Sequence, residues 1–163
     1  MKKALVATVL LALAGAVQAQ PRTAFEPGKV WLDNKGPHLN AHGAGMLHDH
    51  GRYYLFGEHK IAGPRGNSAQ VGVHCYSSRD LYNWTDEGIA LAVAPTGSGS
   101  EIEQGSIIER PKVVFNKKTG KYVMWFHLEL KGKGYAAART AVATSDKATG
   151  PYAYVKSFRP GAG

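Results

Sequence analysis

One cysteine stands in 163 residues. That excludes a disulfide framework and any zinc site built on several thiolates. Cys75 falls in Val71-Gly72-Val73-His74-Cys75-Tyr76, where alternation makes it a small core side chain rather than a nucleophile. Amphipathic helical periodicity is missing beyond the first 19 residues, which argues against a helical domain. Blocks of like charge are missing as well. The formal net charge of +8 is spread along the chain, and no Lys/Arg run has the length of a nucleic-acid tail. The expectation is a solvated basic surface with no nucleic-acid partner.

The only long apolar stretch comes first. Lys2-Lys3 precedes Ala4 to Val17, apolar apart from Thr8 and Gly15, and Val17-Gln18-Ala19 ends in small residues. This is the pattern of a secretory leader over residues 1–19, too short for a comfortable membrane span. The alternative is a retained N-terminal anchor. The leader looks bacterial, so the expected destination is the periplasm or the medium, with no membrane association after its removal. The mature chain would begin at Gln20 with 144 residues and a formal charge of +6.

What remains is a succession of short alternating runs between turn residues. Residues 20–29 read as a lead-in, and Val30-Trp31-Leu32-Asp33 as a short strand. Met46-Leu47 and Tyr53 to Phe56 flank the turn Asp49-His50-Gly51. Val71–Ser77 is a strand, residues 78–84 a tight helical turn ending in a tryptophan, and Ile89–Ala94 another strand. Residues 95–106 are loop. Then the pattern returns: Pro111–Phe115, turn, Tyr122–Phe126, Thr140–Asp146, turn, Tyr154–Phe158. Gly51-Arg52-Tyr53 and Gly120-Lys121-Tyr122 stand 69 residues apart, and Asp80 and Asp146 stand 66 apart. A repeat of four short strands is the mark of propeller blades. The expected fold is all-β: a partial β-propeller over residues 30–163, with one blade at about 38–95 and a second at about 107–160. A small sandwich of about eight strands is the alternative. Two blades close no ring, which points to the N-terminal part of a longer fold.

Residues 38–60, HLNAHGAGMLHDHGRYYLFGEHK, hold five of the seven histidines. Asn40 and His42 precede Gly43 and Gly45, whose missing side chains would let backbone approach a ligand; turn chemistry is the plainer account. Glu58 ends an aromatic strand, where its carboxylate can accept hydrogen bonds from hydroxyl groups. Glu109 precedes Pro111 at the start of an apolar strand, with Arg110 beside it to hold it ionised. Glu103, next to Gln104, lies in the loop before it, and Tyr135 follows the loop Gly132-Lys133-Gly134. Trp31, Trp84 and Trp125 read as core anchors. His48 and His50 flank a turn, no HExxH motif is present, and neither a catalytic metal nor any other cofactor is expected.

His38-Leu39-Asn40-Ala41-His42-Gly43-Ala44-Gly45, Phe56-Gly57-Glu58-His59-Lys60, Glu109-Arg110-Pro111-Lys112-Val113 and the turns Ser77–Trp84 and Ala143–Tyr152 together resemble glycoside hydrolase family 43. The branch they resemble is that of the exo-β-1,3-galactanases and related β-galactosidases. The resemblance implies a five-bladed propeller with a central funnel, a polysaccharide or oligosaccharide substrate, and hydrolysis with inversion. It makes Glu109 the third carboxylate, which orients the general acid and tunes its pKa. Glu58, Asn40, His42, Glu103 and Tyr135 become candidate sugar-binding residues. The family's general acid usually sits in the third blade, beyond residue 163. The usual first-blade Asp base is replaced by Asn40-Ala41-His42, leaving the base unassigned. A non-catalytic carbohydrate-binding or structural propeller is the competing expectation.

Overall fold

The computed structural model describes residues 20–161; the expected leader at 1–19 lies outside them. Eight strands form two four-stranded antiparallel sheets, each a simple meander. Strands β1 (His42–Asp49), β2 (Arg52–Lys60), β3 (Gln70–Ser78) and β4 (Thr85–Ala92) make the first. Strands β5 (Ile107–Asn116), β6 (Lys121–Glu129), β7 (Arg139–Ser145) and β8 (Ala153–Phe158) make the second. Among the described residues the only regular helix is one 3-10 turn, Gly66–Ser68. These are the two blade-like units that the repeat predicts.

Local chemistry sets the hairpins. His50 and Gly51 both take positive φ, 48° and 72°, the geometry of a two-residue turn whose twist matches the strands it joins. In the β5–β6 turn the Asn116 carbonyl accepts the N–H groups of Thr119 and Gly120 at 3.2 and 2.9 Å, and its side-chain oxygen accepts that of Lys118 at 3.0 Å.

The main core lies between the sheets. Phe56, Val73, Cys75 and Leu91 of the first meet Ile108, Val113, Met124, Phe126, Leu128, Ala141 and Ala143 of the second. Full burial of each large apolar side chain is worth roughly 1.5–3 kcal/mol. Burial pushes the Cys75 thiol pKa up, consistent with an inert core residue. A smaller cluster of Leu55, Tyr76 and Trp84 covers the other face of the first sheet. β5 packs against β1, β2 and β3, so the first strands of the two sheets meet.

Several expectations need correction. Over the helical turn expected at 78–84, residues 79–83 are bends and Ser78 is the last residue of β3. The Asp80 carboxylate accepts the N–H groups of Tyr82 and Asn83 at 2.9 and 2.8 Å and so supplies the partners a helix would have provided. Val30–Asp33 forms no strand, only a bridge between Leu32 and His38. Strand β4 starts at Thr85, ahead of the apolar run. Its polar first residues pair across β3: His74 Nε2 lies 2.5 Å from Asp86, and the Ser77 hydroxyl donates to Glu87 at 2.6 Å. Of the three tryptophans only Trp84 is buried; Trp31 and Trp125 are each 41% exposed.

At Gly45 the two sheets approach closely. A Cβ there would overlap the carbonyl oxygen of Pro111 and the Lys112 side chain. Gly45→Ala should therefore destabilise the protein by about 2 kcal/mol, as overpacking against backbone does. Thermal unfolding checks this; an unchanged Tm would contradict the close approach.

Candidate functional site

Both inner strands are irregular at the same level. β1 carries a bulge between His42 and Gly45, and β5 carries one between Glu109 and Lys112. Such bulges re-aim side chains and are common beside active sites. In the second, Arg110 takes φ 52°, a left-handed conformation that costs a non-glycine residue about 1 kcal/mol or more. It aims the Arg110 N–H at Glu58 Oε1, 3.1 Å away.

Glu58 is the centre of the polar cluster. It is 1% exposed, yet it is a carboxylate. Its Oε2 lies 2.7 Å from the Lys60 ammonium and 3.3 Å from His42 Nδ1. Three donors fill three of its roughly four acceptor positions, leaving one. The His42 side chain is 75% exposed and faces solvent. Gly43, at φ 58°, allows the Glu58 carboxylate to sit where a Cβ would be. Gly43 thus makes room for a side chain of its own sheet, and Gly45 for the backbone of the second.

The chain of bonds continues. Lys60 Nζ donates to Asn67 Oδ1 at 2.8 Å, and Asn67 Nδ2 donates to the Tyr135 hydroxyl at 2.7 Å. Tyr135 donates to Glu109 Oε1 at 2.6 Å, a bond that holds its hydroxyl pKa above the usual tyrosine value. Glu58 and Glu109, on different sheets, are therefore joined by one hydrogen-bonded path. Arg110 does not take the role expected of it. Among the described residues Glu109 has no ion-pair partner, and Tyr135 is its neighbour instead.

Asn40 sits behind this path. Its side chain accepts from the Lys60 N–H at 3.1 Å and donates to the Lys60 carbonyl at 2.9 Å. It positions Lys60 through one N–H and one lone pair of its amide. Glu103 stands apart. Its carboxylate accepts the Gly97 N–H at 2.8 Å and pairs with Lys131 at 3.2 Å, and these two partners hold its pKa below the usual value.

Sequence reasoning singled out Glu58, Glu109, Tyr135 and His42, which this path unites. It passed over Lys60, Asn67 and His127 as site residues. His127 is the cross-strand partner of Glu109; counting residues from the β5–β6 turn would point to Leu128 instead, because the bulge in β5 shifts the register by one.

The cluster can bind a polyhydroxylated ligand: carboxylates accept, and Lys60, with two of its three N–H groups engaged by Glu58 and Asn67, keeps one to donate. Glu58→Gln would turn a buried acceptor into a group that must also donate, facing an ammonium and an amide N–H. Breaking a buried ion pair costs about 3 kcal/mol. Chemical denaturation should show a loss of that order; a loss below about 0.5 kcal/mol, typical of exposed pairs, would show that Glu58 is not locked in place.

No family model and no curated protein sequence matches the chain. Solved structures do. A family 43 β-1,3-galactosidase solved with galactodeoxynojirimycin is 58% identical with a TM-score of 0.75, over 80% of this chain and 37% of its own. An exo-β-1,3-galactanase from Phanerochaete chrysosporium, solved with galactose, is 42% identical with a TM-score of 0.71, over 82% of this chain and 29% of its own. An exo-β-1,3-galactanase from Clostridium thermocellum is 40% identical with a TM-score of 0.68, over 82% and 27%. The chain spans about a third of the length of these relatives. With two blade-like sheets, inner strands bulged at one level, and identities that reach 58% across four-fifths of its length, the chain belongs to glycoside hydrolase family 43.

Proposed function

We propose that this chain supplies part of the active site of an enzyme that hydrolyses β-1,3-linked galactosides with inversion. The observation that carries this reading is the hydrogen-bonded path from Glu58 to Glu109 across the two inner strands. The relatives solved with galactose and galactodeoxynojirimycin support the sugar class.

Inversion needs a water that attacks the anomeric carbon while that carbon's bond to the leaving oxygen breaks. A base takes the proton from the water, and an acid gives one to the leaving oxygen. Glu109 fits the third carboxylate. Its negative charge beside the acid disfavours ionisation of that acid and keeps its proton available. Tyr135 restrains the Glu109 rotamer through its hydroxyl. Glu58 fixes Lys60, whose third N–H is free to donate to a sugar hydroxyl, and His42, whose side chain faces solvent, and its one remaining acceptor position can accept a hydrogen bond from a hydroxyl. By the family pattern the acid is contributed by a later blade.

Glu109→Gln keeps the shape and removes the charge. In an enzyme that joins this chain to the remaining blades of its family, kcat on β-1,3-galactan should fall about 100-fold or more, the scale of general acid catalysis, with Tm unchanged. An unchanged kcat/KM would remove Glu109 from the catalytic set and favour a carbohydrate-binding role without hydrolysis.

Export follows from the same reading, because polysaccharides do not cross a membrane unaided. The Lys2-Lys3 start and the Val17-Gln18-Ala19 end of the leader motivate it. N-terminal sequencing of protein recovered outside the cytoplasm should begin at Gln20; a start at Met1 would contradict it.

A further inference from the structure

Glu129 is 0% exposed, is not on the path described above, and forms four hydrogen-bond contacts. At the end of β6, its Oε2 accepts the N–H groups of Ala137 and Ala138 at 2.9 and 3.0 Å. Its Oε1 lies 3.1 Å from the Ala138 N–H and 2.8 Å from His127 Nε2. The carboxylate thus closes the loop 130–138 onto its own base. Within the loop the backbone does little: Lys133 N–H to the Leu130 carbonyl and Ala136 N–H to the Lys133 carbonyl, at 3.0 and 3.2 Å. Gly132 and Gly134 take positive φ, as does Ala138 at 45°. Tyr135 stands at the loop tip, 56% exposed. Its ring lies nearly parallel to that of His127, 15° apart with centroids 6.2 Å distant.

We propose that Glu129 is a positioning residue: it fixes the loop 130–138 by its backbone and the His127 ring by its side chain, and so brings the Tyr135 hydroxyl onto Glu109. An exposed tyrosine in a glycine-flanked loop has backbone and rotamer freedom worth a few kcal/mol. A single bond to a half-exposed carboxylate does not offset that loss. Two amides and one ring, all gathered on a buried charge, remove most of the freedom in advance. The groups that then face the Tyr135 hydroxyl are Glu109, Asn67 and, more distantly, Glu58. The inference rests on the proposed role of Glu109 only for its consequence in catalysis.

The test is a tyrosine titration by NMR on the full chain, labelled with 13C at tyrosine Cζ. The Tyr135 signal is identified by its loss in Tyr135→Phe. In the unaltered protein Tyr135 should titrate above the ordinary value of 10.0. In Glu129→Gln it should fall back to that value, while Tyr122, held at about 12 by Asp49, stays in place. Glu129→Asp, which keeps the charge, should recover part of the shift. A folded Glu129→Gln protein whose Tyr135 titrates as in the unaltered chain would overturn the proposal. Should Glu129→Gln not fold, amide exchange in the unaltered chain decides. Ala137 and Ala138 should exchange about 100-fold more slowly than Gly132 and Gly134, the protection expected of a locally closed segment; equal rates would overturn the proposal. No sugar enters either measurement. The proposal can therefore fail while the hydrolase reading stands, and it can hold in a chain that hydrolyses nothing.

Discussion

A carboxylate held away from water between two sheets is the constraint from which the rest of this structure follows. Transfer of the Glu58 charge to the interior costs several kcal/mol unless donors replace its hydration. The donors come from both sheets: His42 and Lys60 from the first, the Arg110 N–H from the second. Bringing that amide within reach requires the left-handed turn at Arg110, the bulge in β5, and two glycines in β1: Gly43 leaves room for the Glu58 carboxylate and Gly45 for the partner strand. Features that look independent along the chain are thus requirements of one buried group.

The same group divides the molecule into an apolar middle and polar ends. At the far end of β1, the Tyr122 hydroxyl of the second sheet donates to Asp49 of the first at 2.7 Å, which holds the Asp49 pKa low and raises that of Tyr122 to about 12. Between these two ties lies the core around Phe56, Met124 and Phe126. The sheets are therefore fixed against sliding at both ends, and precise placement of Glu58 and Glu109 is possible on elements joined by a loop of 14 residues (93–106). Glu101 and Glu103 also secure this loop: Glu101 takes bonds from Tyr154 and Ser157 and pairs with Arg139 at 3.1 Å, and Glu103 pairs with Lys131.

Much of the fold was legible in the sequence, because strands with one buried face alternate and tight turns need particular residues. The hairpins at Gly51 and Gly120 and the two four-strand units follow from those signals. The turn at Asp80 was not legible as a bend, since a side chain that captures backbone N–H groups looks like the start of a helix. The early start of β4 was hidden because its first residues are polar and find partners only across β3. At the site, Glu58, Glu109 and Tyr135 could be named from residue type and position. Their connection could not: it passes through Lys60 and Asn67, and Arg110 meets Glu58 from 52 residues away. The glycines at 43 and 45 carried a true signal of close approach, but sequence alone does not say what approaches. For Glu129, strand alternation marks a charge on the same face as His127, yet its partners lie eight and nine residues on, in a loop without periodicity.

The account holds that Glu58 and Tyr135, on separate sheets and with no direct bond, belong to one network through Lys60 and Asn67. A double-mutant cycle on unfolding free energy, with Glu58→Gln and Tyr135→Phe made singly and together, measures that connection. Residues that share a network couple by about 0.5 kcal/mol or more, and independent ones add to within about 0.3 kcal/mol. The bonds through Lys60 and Asn67 should give coupling of at least about 0.5 kcal/mol on this scale. Strict additivity would mean that the two sheets carry separate polar clusters and that no shared site spans them.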